Sequence, residues 1–507
     1  MNRSIRVDIP ANSAHHSLSG GADGPAFQTA CTVILGVTLL LASVQPAGAA
    51  APVPNPTVIG PVPAPVPPGD PSHDYPFYST TVNLASEGYI EEEYFFEGAA
   101  NRYHTPPLTT ASVIDSGHPY RTRMVVRRPA SPVKFNGTAI LEWQNVTAGH
   151  DADAVWAGTQ EHLLRRGYAW VGVSAQRVGV HGGTAGLKAW SPGRYRTLDL
   201  THDGTIQDDA LCYDVFSQAA QAVRSPSGID PMGGLLVERV FAIGASQSAH
   251  RLVSYHNSIH PLAGVLDAFV LTVGGGRLRT DLGVKVFQIL SETDVARGAI
   301  RQPDSDHFRR WEVAGTAHLD YYLRQQLAPL KRRDRMAASS AARCDLPPFS
   351  RIPFHFAGNA AIDHLVRWVK DNISPPVAPE IRIAESGPPI VIARDGSGNA
   401  LGGIRLPQHE VPTAANTGVN SGPGFCRVFG SYQPFDDAAL RARYRDHETY
   451  VLQVIQVALD DVAAGFMVAA DAQSTIRDAL ASGIGGPSAP CTPGNPRSGV
   501  ASDQRGE

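Results

Sequence analysis

A serine stands at a telling position in the run Val240-Phe-Ala-Ile-Gly-Ala-Ser246-Gln-Ser-Ala-His250. A short apolar strand runs into Gly-x-Ser-x-Ser and then into a helical stretch, the arrangement of a nucleophile elbow. The turn demands small residues two positions before and after the serine. Gly244 and Ser248 meet that demand, with serine replacing the usual second glycine. Such a turn exposes the hydroxyl and puts the Gln247 backbone N–H at a helix start, where it can stabilise an oxyanion. A serine nucleophile needs a base, and the base needs an orienting acid. Downstream, Lys285–Leu290 ends in Ser291-Glu292-Thr293-Asp294, and Phe308–Val313 ends in Ala314-Gly-Thr-Ala-His318. Serine, acid and histidine thus follow in order, each just past an apolar strand. His318 is the candidate base. Asp294 is the preferred acid, with Glu292 as the alternative. A second oxyanion donor is expected from the loop after Thr138–Trp143, at the backbone of Asn145 or Val146. Each residue also has a plainer reading: Ser246 or Asp294 as a helix cap, His318 as a core histidine, Asn145 as a turn former. His250 reads as structural. Trp143, Trp156, Gln176 and Arg177 flank the same strand ends and suit either pocket lining or packing.

These residues must be carried by a scaffold that brings strand ends together. Strands are expected over 121–128, 138–143, 168–174, 240–245, 268–273, 285–290 and 308–313. Helices are expected over 154–166, stopped by Gly167, over 209–224, where Leu211, Val215, Ala219 and Val223 repeat every four residues, and from Gln247 to about His256. Strands alternating with helices imply a mostly parallel sheet covered on both faces. In such sheets active-site residues collect at the carboxyl ends of strands. After His318 the pattern changes. An amphipathic helix over 359–372 is followed by a β-rich stretch, 390–394 and 402–406, and by helices over 436–446 and 448–464. This part is an α+β extension or a cap over the site.

The ends and the composition bound the rest. Val33–Ser43 (VILGVTLLLAS) is too short to span a bilayer, and Ala47 and Ala49 are small residues at the −3 and −1 positions of a cut after Ala49. Residues 1–49 are therefore expected to be an export signal and the mature protein to be secreted or periplasmic, without a membrane span. Residues 50–76 read as a proline-rich linker, 77–375 as the core, 376–482 as the extension and 483–507 as a disordered tail. The formal net charge of −4 and the absence of a basic stripe leave no electrostatic case for nucleic acid. Four cysteines would remain after cleavage, enough for two disulfides in three connectivities. Cys344 is expected to pair with Cys426, since both sit in turn-rich sequence. Cys212, in a helical pattern, suits a buried thiol as well as a bond. No CxxC or zinc-like spacing occurs.

With these residues in view, the chain resembles the "alpha/beta hydrolase domain" family of bacterial and fungal proteins. The matching stretches are Gly88–Tyr94, Leu141–Val146, Gly167–Gln176, Ile243–Ser248, Ser291–Asp294, Val313–His318, Gly402–Pro407 and Phe425–Gly430, over roughly residues 80 to 480. The resemblance implies an α/β-hydrolase fold and hydrolase activity, with no particular substrate. The expected reaction is hydrolysis of a small-molecule ester through an acyl-enzyme on Ser246, without a cofactor. Acyl transfer by the same residues, or an inactive surface-binding module on the same scaffold, are the alternative readings.

Overall fold

The computed structural model of the chain describes residues 53–336 and 343–486. The expected export signal, Cys31, Cys491 and most of the expected tail lie outside the described residues. The described residues belong to one compact unit.

Nine strands form the central sheet in the order β1-β2-β3-β5-β4-β6-β7-β8-β9. β1 (Thr57–Ile59), β2 (Tyr89–His104) and β3 (Ser112–Pro129) are antiparallel, and β3 pairs antiparallel with β5 (Ala169–Val173). From β5 onward the sheet is parallel through β4 (Thr138–Trp143), β6 (Arg239–Ala245), β7 (Ala268–Thr272), β8 (Lys285–Ser291) and β9 (Phe308–Val313). This is the mostly parallel α/β sheet that the alternation of apolar runs implies. Residues 138–143 and 169–173 are buried at every position, as a strand covered on both faces requires. After β4 the chain moves to β5 on one side and later returns to β6 on the other. The strand order therefore reverses at β4/β6, and an open sheet gapes there at its carboxyl edge.

Helices cover both faces. α1 (Ala154–Arg166) follows β4 and ends at Gly167, whose φ of 76° brings the backbone of Lys134 too close for any side chain. The two first-turn N–H groups of Val155 and Trp156 are capped by a buried carboxylate from the sheet, Glu142, at 2.9 Å each. α2 (Cys212–Arg224) precedes β6 and α3 (Gln247–Ser254) follows it. α4 (Glu292–Ala296) is a short turn after β8. α5 (Tyr321–Arg333) and α6 (Phe354–Asp371) follow β9, and α7 (His447–Ala464) and α8 (Ala469–Ala481) close the extension.

Two expectations are corrected. The proline-rich segment does not hang free. Thr57–Ile59 adds a strand to the sheet edge, Val58 is buried, and Tyr75, Phe77 and Tyr78 enter the core. The stretch 402–406 is not a strand of its own. It contributes bridges instead, Gly402 to Ile381 and Ile404 to Val313 beside β9, so the extension is stitched onto the last strand of the sheet. Helix α5 and the long β2 hairpin strand were not expected from the pattern. Cys344 and Cys426 form a disulfide, and Cys212 is a buried free thiol. Among the described residues no helix is long and apolar enough to cross a membrane.

Candidate active site

Ser246 occupies the tight turn between β6 and α3 with φ 57° and ψ −116°, a conformation costly for any residue with a side chain. The turn is held from several sides. Ser246 N–H donates to Thr272 O at 2.9 Å. At Gly244 a Cβ would come within 2.9 Å of the Ser248 backbone, and at Gly274 within 2.9 Å of the Ser246 carbonyl. Both glycines are therefore required by close approach. Ser248 is more than a small residue. Its hydroxyl accepts from Ala245 N–H at 3.0 Å and donates to Ala245 O at 2.8 Å, clasping the turn from inside. His250 Nδ1 lies 2.8 Å from the Ser246 carbonyl, on its own helix and away from the hydroxyl.

The two carboxylates after β8 part ways. Asp294 Oδ1 meets His318 Nδ1 at 2.8 Å. Its Oδ2 accepts from Ser291 Oγ at 2.6 Å and Ser291 N–H at 3.0 Å, completing a capping box at the start of α4. Burial pushes this carboxyl up, but the His318 charge and the His318 and Ser291 hydrogen bonds together hold it below the ordinary aspartate value. Glu292 faces elsewhere. It accepts from Gly315 N–H at 2.8 Å, Gly418 N–H at 3.0 Å and Arg394 Nη2 at 2.7 Å, and is wholly buried. The alternative acid is thus occupied in tying the extension to the sheet. The Asp294 bond also fixes which imidazole nitrogen stays available, namely Nε2. Among the described residues Ser246 Oγ makes no hydrogen bond to that ring, and the two side chains meet as walls of one cavity.

Of the two loop positions expected to offer an oxyanion donor, Asn145 is ruled out. Its backbone N–H donates to Ala152 O at 3.0 Å in an antiparallel bridge, because the loop folds back on itself, and its side-chain Nδ2 donates to Ala245 O at 2.8 Å. The Val146 N–H has no acceptor among the described residues. Gln247 opens α3, so its N–H is a first-turn donor that the helix leaves free.

The cavity measures about 260 Å³ and is mostly apolar. The elbow, Val273 and the Asn145–Ala154 loop form one side. Helix α5 contributes Leu323, Leu327 and Lys331, and the segment Phe425–Phe429, pinned by the Cys344–Cys426 bond, forms a further wall. A narrow apolar void of about 60 Å³ continues from Ser246's neighbour Ala245 and from His318 toward α1 and α6. A larger cavity of mixed lining, about 500 Å³ between α1, α6 and α8, contains none of these groups. Trp143, Trp156 and Gln176 are buried packing residues. Trp143 packs against Phe216 with the rings tilted, and Gln176 bridges Trp143, Asp209 and Gln247. Arg177 lies outside the cavity, where its backbone donates to Asp209.

Over residues 62–477 the sequence matches the alpha/beta hydrolase domain family. The chain belongs to that family. A search of curated proteins returned no match. Among solved structures, an α/β serine hydrolase without a lid from Xanthomonas campestris is 14% identical, covering 48% of this chain and 97% of its own, with a TM-score of 0.25. A cold-adapted esterase from an Arctic intertidal metagenomic library is 11% identical over 49% and 95% of the two chains, with the same score. Est1E from Butyrivibrio proteoclasticus is 11% identical over 42% and 93%, again at 0.25. Likeness at that level decides nothing about chemistry.

The family match runs through the extension, which here supplies a wall of the cavity. Three contributors escaped the sequence reading. Gly274 carries no local signal of its own, and Phe425–Phe429 stood out only as part of the family resemblance, with nothing to place it at the site. The α5 wall did carry a local signal: Leu323, Leu327 and Lys331 line the cavity at intervals of four, the spacing of one helix face.

Proposed function

We propose that this protein is a serine hydrolase acting on carboxylic esters, with Ser246 as nucleophile, His318 as base and Asp294 as the acid that orients it. The observation that carries this reading is the strained Ser246 turn and the Asp294-anchored imidazole opening onto the same apolar cavity. His318 Nε2 takes the hydroxyl proton as Ser246 attacks the carbonyl carbon. Asp294 stabilises the resulting imidazolium. The Gln247 N–H, with Val146 as the second donor, receives the oxyanion. The leaving alkoxide takes the proton back from the imidazolium, and water then releases the acyl group by the same route. In unliganded sites the hydrogen bond between nucleophile and base is often long and tightens only when substrate binds. Export from the cytoplasm accords with the Cys344–Cys426 disulfide, a bond that persists in oxidising compartments.

A fluorophosphonate probe tests the assignment. It should label the wild-type protein and leave Ser246→Ala unlabelled. Equal labelling of the two proteins would overturn the reading.

A further inference from the structure

The cavity that holds Ser246 and His318 is lined by three cations, Arg297, Lys331 and Arg427, and by no carboxylate. They arrive from three separate segments: Arg297 at the end of α4, Lys331 in the last turn of α5, and Arg427 beside the disulfide. None of the three side chains has a hydrogen bond or ion pair among the described residues. Other arginines near strand ends are tied to acids, Arg301 to Glu312 at 2.6 Å, Arg394 to Glu292 at 2.7 Å and Arg251 to Asp209 at 2.7 Å. Arg297 and Arg427 are exposed at the rim, where water solvates them and an unpaired charge is ordinary. Lys331 is different, because it is only partly exposed. Burial, then the charge of Arg324, holds its ammonium below the usual lysine value. Cations of one sign converging on an apolar cleft focus a positive potential into it.

The spacing along α5 adds a dimension. Leu323, Leu327 and Lys331 line the cavity in a row, starting near His318. At a rise of ~1.5 Å per residue, Leu323 and Lys331 lie roughly 12 Å apart along the helix. An apolar floor thus leads away from the reacting atoms to a positive end.

We propose that the site takes esters bearing a second, anionic group, a carboxylate carried on an apolar arm several bonds from the scissile carbonyl, which Lys331, Arg297 and Arg427 bind. This rests on the reading of Ser246 as nucleophile. The carboxylate could belong to the acyl half, as in a half-ester of a linear dicarboxylic acid, or to the alcohol half, as in an ester of an ω-hydroxy acid.

Matched substrate pairs test it on the full chain. On the acyl side, 4-nitrophenyl hydrogen adipate is compared with 4-nitrophenyl hexanoate. On the alcohol side, the hexanoyl ester of 6-hydroxyhexanoic acid is compared with hexyl hexanoate. In one pair kcat/KM should favour the anionic member by about tenfold or more, the size of a charge-assisted contact. The preference should shrink with added salt and fall severalfold in Lys331→Met and in Arg427→Gln. Because the preference is a ratio within one variant, a general loss of activity cancels. No anionic preference in either pair, or an anionic preference that neither substitution changes, would overturn the proposal. If no ester is turned over and the fluorophosphonate probe does not label Ser246, the underlying reading fails as well.

Discussion

Beneath the β2–β3 hairpin, Arg123, Arg127 and Arg194 are almost wholly buried, and each meets a carboxylate. Arg123 donates to Glu93 at 2.8 Å, Arg194 contacts Glu93 at 2.6 Å, and Arg127 reaches Asp153 at 2.6 Å and Glu91 at 2.7 Å. Arg127 also lies over the rings of Trp156 and Trp170, 4.7 and 4.4 Å from their centres. At the cavity, Arg297, Lys331 and Arg427 meet no acid. The difference shows where a charge can be left open. A cation sealed from water needs its counter-ion within the protein, since its desolvation is otherwise uncompensated. A cation beside a solvent-filled cleft can wait for one that diffuses in. The first region should therefore respond to mutation in stability, and the second in what the cavity accepts.

The comparison sharpens most at Asp294, a sealed carboxylate that serves the cleft. Asp294→Asn should lower kcat by about 10⁴-fold, because the imidazole loses its orienting acid, while the protein stays folded. Steady-state kinetics beside a thermal melt would check both halves. Next comes Arg123→Met, which leaves Glu93 without one of its buried partners and should cost about 3–5 kcal/mol in urea unfolding. A cost below 1 kcal/mol would blur the distinction between the two regions. Opening the Cys344–Cys426 loop with serine at both positions should cost about 2–4 kcal/mol and raise KM more than it lowers kcat, since the freed segment carries Phe425–Phe429.

A pH effect follows from Asp294. Its folded value lies below its unfolded one, so the stability it contributes is present above about pH 4, the ordinary aspartate value, and is lost as pH falls through the folded value. Acid unfolding of the wild type should therefore be steeper below about pH 4 than that of Asp294→Asn. The smallest effect is expected at Lys331→Met. Removing an unpaired, half-exposed charge should change stability by no more than about 0.5 kcal/mol. A loss of several kcal/mol would mean that Lys331 belongs with the sealed arginines.

The sheet and the strand ends were readable because their signals are local. Apolar runs followed by Gly-Ala-Ser, Ser-Glu-Thr-Asp and Gly-Thr-Ala-His mark three turns without knowledge of the rest of the chain. Choosing between Asp294 and Glu292 was harder, because two residues of spacing carry little information. The choice turns on Arg394 and Gly418, more than a hundred positions away. Asn145 misled for a similar reason. Its N–H looks open until the loop bends back seven residues to Ala152. The sealed arginines were invisible because nothing local to Arg123 and Arg127 names their partners, Glu93 and Glu91, about thirty residues upstream. Helix α5 was missed although Leu323, Leu327 and Lys331 share one of its faces. A proline at 329 and the run Lys331-Arg-Arg333 obscure its end.

Glu292 has a wider consequence. One carboxylate gathers an N–H from the loop before His318, an N–H from Gly418 and a guanidinium from Arg394. A chain cut after residue 375 would leave that carboxylate buried with two of its three partners gone, beside the loop that carries His318. Truncation there should give unfolded or insoluble protein rather than a smaller stable domain.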